Sequence, residues 1–141
     1  KRLDPAIEVI SKSCPLFVPI AEEGLEHDEV ARIMAERYLK EFSKCDIDVL
    51  VMGCTHYPIL EDVIAGVMGK DVAIVHTGRE TAKALKDTLE TGHMVNTKGA
   101  GGCEYYVTDS PELFREVGGR FLAEPLKKVT FLKNLDYGSP L

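Results

Sequence analysis

The sequence predicts an α/β fold in which a mostly parallel sheet is flanked by helices. A short, nearly continuous apolar run, Asp46-Ile47-Asp48-Val49-Leu50-Val51-Met52, has the β-branched content of a strand buried on both faces. On either side of it, apolar residues recur at three- and four-residue steps, so helices and strands alternate along the chain.

Taken in order, Cys14-Pro15-Leu16-Phe17-Val18-Pro19-Ile20 is apolar but holds two prolines, which predicts an edge or loop segment. From Asp28, an N-cap residue type, Val30, Ile33, Met34, Tyr38 and Phe42 mark a helix that should end near Ser43-Lys44. The strand 46–52 follows and stops at Gly53. After Pro58 a second helix carries Leu60, Val63, Ile64, Val67 and Met68 on one face and ends at Gly69. Asp71–Val75 is the next strand. Thr77-Gly78-Arg79-Glu80 has the form of a capping box, with Ala82, Leu85 and Leu89 as the apolar face behind it. Gly92 stops that helix, and His93–Gly102 reads as a loop. A strand at 104–108 precedes a helix opened by Ser110-Pro111, with Phe114, Val117 and Phe121 along its face. Val129–Leu132 is the last strand.

Composition narrows the function classes. The 141 residues suffice for one sizeable core, and 45% apolar with 28% charged content is that of an ordinary globular chain. With 17 basic and 23 acidic side chains and no Lys/Arg cluster, the chain lacks the footprint of a nucleic-acid binder. No apolar stretch approaches the ~20 residues needed to span a bilayer, and Lys1-Arg2-Leu3-Asp4-Pro5 lacks the apolar core of a signal peptide. Four cysteines without CxxC spacing fit a reducing, cytoplasmic setting better than a disulfide scaffold. The chain does not open on Met, which points to a piece of a longer protein.

The chemistry concentrates in Gly53-Cys54-Thr55-His56-Tyr57-Pro58. Ligands of open α/β sheets sit beyond the carboxyl ends of the strands, which is where this segment falls. A thiol there is exposed, faces a helix N-terminus and has an imidazole two residues away. It needs such help, because a free thiol of pKa ~8.5 is mostly protonated at neutral pH. The residues alone leave two other readings open: Cys54 as a small buried hydrophobe, and a metal site shared with His56. Zinc, however, takes three or four ligands, and no spaced Cys/His pair completes that set.

The six-residue segment is similar to the second cysteine motif of the glutamate racemases. Cys14-Pro15-Leu16-Phe17-Val18-Pro19 followed by Glu22 resembles another stretch of that family, CPLFVPLVE. Tyr106-Val107-Thr108-Asp109-Ser110-Pro111 with Phe114 resembles a third, near the family's C-terminus. Three motifs in the right order span essentially the whole chain. The resemblance implies interconversion of L- and D-glutamate without cofactor or metal, supplying D-glutamate for peptidoglycan. In the family two cysteines act from opposite faces of the substrate, in two pseudo-symmetric α/β domains with the substrate between them, and the enzyme commonly forms a homodimer. Carried onto this chain, Cys54 is the thiol facing L-glutamate, His56 its assisting histidine and Glu22 an acid of the same relay. Thr55, with Cys54 and His56, contacts the substrate.

The same resemblance places residues 1–76 in the second domain, incomplete at its start, and 77–141 in a segment that completes the first. The first catalytic cysteine belongs to an N-terminal half that these residues lack, so the chain alone should be inactive. Cys14 reads as a packing residue, while Cys45 follows a helix end and Cys103 opens a strand, neither with a polar constellation beside it. His27 and His93 read as solvated, His76 as a strand end in a position variable in the family, and Asp109 as part of a helix start. Aspartate racemases share the fold and the two-thiol logic but carry Glu where His56 stands. A non-catalytic binding module derived from the fold is the alternative from another class.

Overall fold

The structure, a computed structural model, describes residues 4–133. The chain falls into two compact units, Lys1–Ala82 and Lys83–Leu141, divided inside one helix.

The first unit holds α1 (Phe17–Glu22), α2 (Glu29–Leu39), β1 (Val49–Met52), α3 (Glu61–Met68), β2 (Ala73–His76) and the start of α4 (Thr77–Thr91). β1 and β2 pair in parallel, with Val49 opposite Ala73 and Met52 opposite His76, so both strands end at the same edge. Phe17, Leu39, Met52, Leu60 and Ile64 are the large side chains at the centre of its core.

Where the two prolines of 14–20 predicted an edge or loop segment, the chain forms the helix α1. Pro19 sits in the first turn, where its missing N–H has no intrahelical acceptor to lose. Phe17, Ile20 and Ala21, spaced at helical steps, turn into the core. A Schellman arrangement ends the helix. The Gly24 N–H donates to the Ala21 carbonyl and the Leu25 N–H to the Ile20 carbonyl. Gly24 has φ 71°, the left-handed conformation this cap requires.

Asp28 caps α2 as expected, its carboxylate accepting the Val30 N–H at 2.9 Å. The helix stops at Leu39, short of Ser43-Lys44, and a 3₁₀ turn covers Phe42–Lys44. Its buried face is also displaced from the one the large residues marked. Ala31, Ala35 and Leu39 are the fully buried positions, whereas Val30 and Ile33 are exposed. α2 packs against α3 and α1, and the small side chains of Ala31 and Ala35 are among those it buries.

β1 is shorter than the apolar run and is covered on one face only. Leu50 and Met52 face the helices, while Val49 and Val51 are exposed, which corrects the expectation of burial on both sides. The capping box at Thr77 is also corrected. Helix α4 follows β2 directly, Thr77 is its first residue, and the hydroxyl donates to the Met52 carbonyl at 3.3 Å. Ala82 and Leu85, expected as a buried face, are exposed.

The second unit comprises most of α4, then β3 (Tyr105–Val107), α5 (Pro111–Leu122) and β4 (Val129–Phe131). β3 and β4 pair in parallel. Ser110 caps α5 by accepting the Leu113 N–H at 3.2 Å, with Pro111 in the first turn as read. Phe114 packs at a tilt on Tyr105 with ring centres 6.1 Å apart. Leu126 seats over Gly118, where a Cβ would meet Leu126 Cδ1 at 2.9 Å, so glycine is what admits it. Residues 93–104 form no regular element, in agreement with the loop reading.

Candidate functional site

β1 ends at Met52, and Gly53-Cys54-Thr55-His56 leads from its carboxyl end into a 3₁₀ turn, Tyr57–Leu60, and then α3. Pro58 falls at the start of that turn, and the Ile59 N–H donates to the His56 carbonyl at 3.2 Å. Cys54 is half-buried, less open than the exposed thiol expected at the strand edge. The 3₁₀ turn separates it from the α3 N-terminus. Helix dipole effects fade within a turn, so α3 contributes less to a thiolate than the sequence suggested.

The local help comes from side chains. Cys54 Sγ lies 3.8 Å from His56 Nδ1, and His56 Nε2 lies 3.1 Å from Glu22 Oε1. The three residues form a chain of thiol, imidazole and carboxylate, although Glu22 is 34 residues away in sequence. A carboxylate at Nε2 favours the tautomer that carries its proton there. Nδ1 then has its lone pair toward the thiol and can accept its proton, while Glu22 stabilises the imidazolium that forms. Thr55 is exposed, with Oγ1 3.5 Å from the same Nδ1. The sequence-read site residues Cys54, Thr55, His56 and Glu22 are therefore all brought together.

Glu22 gains its place through α1, of which it is the last residue. Phe17, at the other end of that helix, is 1% exposed and meets two rings edge-on, Tyr38 and Tyr57, each with centroids 5.4 Å away. Both tyrosine hydroxyls bond the turn before α1. Tyr38 accepts the Leu16 N–H at 3.3 Å, and Tyr57 donates to the Cys14 carbonyl at 3.2 Å. Burial raises the Tyr57 phenol above its ordinary range and does the same to the Cys14 thiol, so both stay neutral. Reading residues by their own chemistry passed over Tyr57. Its adjacency to His56 and the aromatic at 17 were the available signals.

Beside this constellation, His76 at the end of β2 is buried. Its Nε2 lies 2.8 Å from Glu61 Oε1 but out of line for a hydrogen bond, and Arg79 approaches the other Glu61 oxygen at 4.0 Å. Cys14 is a buried packing thiol, whereas Cys45, Cys103, His27 and His93 are exposed. Asp109 accepts the Ser110 N–H at the start of α5. Among the described residues, no group of three or more His, Cys, Asp or Glu side chains is placed to hold a metal ion. Among the same residues, no helix is long and apolar enough to cross a membrane.

No protein-family model matches the chain. Curated relatives do. A glutamate racemase of Geobacter metallireducens is 42% identical over 92% of this chain and 48% of its own length. One of Chlorobaculum parvum is 40% identical over 88% of the chain and 46% of its own length. The chain thus spans about half the length of the curated relatives it matches. Among solved structures, the Francisella tularensis glutamate racemase in complex with D-glutamate superposes with a TM-score of 0.84 at 34% identity, over 94% of this chain and 49% of that one. The Thermus thermophilus enzyme in complex with β-chloro-D-alanine gives 0.79 at 39% identity, over 86% of this chain and 46% of that one. In sequence and in fold, the chain is a homologue of the glutamate racemases and corresponds to their C-terminal part.

Proposed function

We propose that this chain supplies one of the two bases of a cofactor-independent glutamate racemase, with Cys54 as the base for the L face. The observation that carries the reading is the run Cys54 Sγ–His56 Nδ1–His56 Nε2–Glu22 Oε1, with separations of 3.8 and 3.1 Å at its two contacts. Racemisation breaks the Cα–H bond of glutamate and remakes it on the opposite face. The Cys54 thiolate takes the proton from L-glutamate, and a thiol on the other face returns one to give D-glutamate. In the reverse direction Cys54 is the acid. In this reading His56 takes the thiol proton at Nδ1 before the step and Glu22 faces the imidazolium at Nε2. Thr55, beside the same imidazole, contacts the substrate. The Francisella relative with D-glutamate bound supports this amino acid as the ligand.

Only Cys54, of the four thiols, stands against an imidazole in the described residues. The family resemblance puts the second thiol in the half of the relatives that the chain does not cover, and on this reading the 141-residue chain by itself does not turn over glutamate. The complete enzyme acts as a homodimer in the cytoplasm and feeds peptidoglycan synthesis, with residues 1–76 and 77–141 belonging to its two domains. His56 favours glutamate over aspartate, since aspartate racemases carry Glu there. The test is α-proton exchange of L-glutamate in deuterated water by the complete protein and its Cys54→Ala variant. Exchange that vanishes with the thiol supports the reading. Exchange from L-aspartate but not L-glutamate refutes the substrate, and exchange that survives Cys54→Ala refutes the base.

A further inference from the structure

We propose that Tyr57 is a positioning residue that keeps Glu22 opposite His56, an inference that rests on the relay reading above and deepens it. Glu22 is on a six-residue helix, too short to hold its own direction, and its carboxylate is half exposed. What orients α1 is its first end. The Tyr57 hydroxyl holds the Cys14 carbonyl at 3.2 Å, and the Tyr57 ring meets the Phe17 ring edge-on at an interplanar angle of 89°. Tyr57 is bonded in sequence to His56. One residue thus ties the start of α1 to the loop that carries the imidazole, and the far end of the same helix brings Glu22 within 3.1 Å of it.

Tyr38 closes the other side of Phe17 and takes the Leu16 N–H. It sits on α2, so it fixes α1 to the core but not to the 53–56 loop. Of the two tyrosines, Tyr57 is the one that couples α1 to the relay. Its phenol carries the proton with which it donates, and burial raises its pKa further.

The test is a double-mutant cycle in the complete protein together with a spectroscopic measurement on the 141-residue chain. Tyr57→Phe keeps the ring and removes the one hydrogen bond. L-Glutamate exchange should slow by about fivefold, the cost of one hydrogen bond, and by no more than in Glu22→Gln. In a Glu22→Gln background the same change should cost nothing further, because its effect passes through the carboxylate. In the chain alone, the ¹⁵N shifts of the His56 ring should move in Tyr57→Phe in the same direction as in Glu22→Gln. An equal loss in both backgrounds, no loss in the single variant, or unchanged His56 shifts overturns the proposal. If Glu22→Gln itself leaves exchange at the parent rate, the relay falls and the proposal with it. A loss in Glu22→Gln without one in Tyr57→Phe sinks this inference alone.

Discussion

Neutralising Glu22 while leaving its shape intact isolates what the carboxylate does. In Glu22→Gln the side-chain oxygen still accepts the His56 Nε2 proton, and only the charge is lost. At 3.1 Å two unit charges attract by about 1.3 kcal/mol in bulk water and by about 5 kcal/mol at an effective dielectric of about 20. The Glu22 side chain is 52% exposed and that of His56 25%, so the aqueous figure carries most of the weight. The imidazolium then loses about 1–2 kcal/mol of stabilisation, and L-glutamate exchange slows by about 5- to 30-fold. His56→Asn removes the proton acceptor itself and should cost about 100-fold or more, the usual range for a general base. Cys54→Ala should reduce exchange to background. The assay is the loss of the α-proton signal of L-glutamate in deuterated water, followed by proton NMR with each variant of the complete protein. The ordering Cys54, His56, Glu22 is what the geometry requires. A Glu22→Gln loss as deep as that of His56→Asn, or none at all, would refute the assignment of Glu22 as a charge partner acting through the imidazole.

Other consequences lie outside the chemistry. Ala35 of α2 is fully buried in the core, so Ala35→Leu should overpack it and destabilise the first unit by about 1–3 kcal/mol, read as a lower denaturant midpoint. Removing the α5 cap with Ser110→Ala should cost about 1 kcal/mol, visible as faster amide exchange at Leu113. Burial shields Cys14 and raises its thiol, which leaves less thiolate at any given pH. Iodoacetamide at neutral pH should therefore label exposed Cys45 and Cys103 and spare Cys14, with mass spectrometry of the digest as the readout. Labelling of Cys14 at the rate of Cys45 would contradict its burial.

Signals confined to a few neighbouring residues were legible before the structure. Asp28 and Ser110-Pro111 cap the helices they announced, and the β-branched runs become strands that pair in parallel. Properties that depend on partners were not. Pro15 and Pro19 read as breakers, yet a proline in a first helical turn breaks nothing. The large residues of α2 suggested one face, but close packing selected the alanines. Val49 and Val51 belong to an apolar run whose second covering layer is absent from the described residues of this unit. For the site, Cys54 and His56 are two residues apart and declare themselves. Nothing local links Glu22 to them. That connection came from the family resemblance, and the geometry shows how α1 makes it.

The placement of Glu22 also argues for use rather than support. Helix C-termini carry partial negative charge and favour cations, and α1 ends on Glu22 followed by Glu23, with no basic residue in its last turn. A fold selected for the stability of this helix alone would put Lys or Arg there. The Glu22 carboxylate does meet the His56 imidazole, which on the proposed relay becomes a cation when it takes the Cys54 proton. The pairing is thus weakest while His56 is neutral and strengthens as the thiolate forms. On the proposed relay, an interaction with that dependence does little for the resting fold and acts while His56 holds the Cys54 proton.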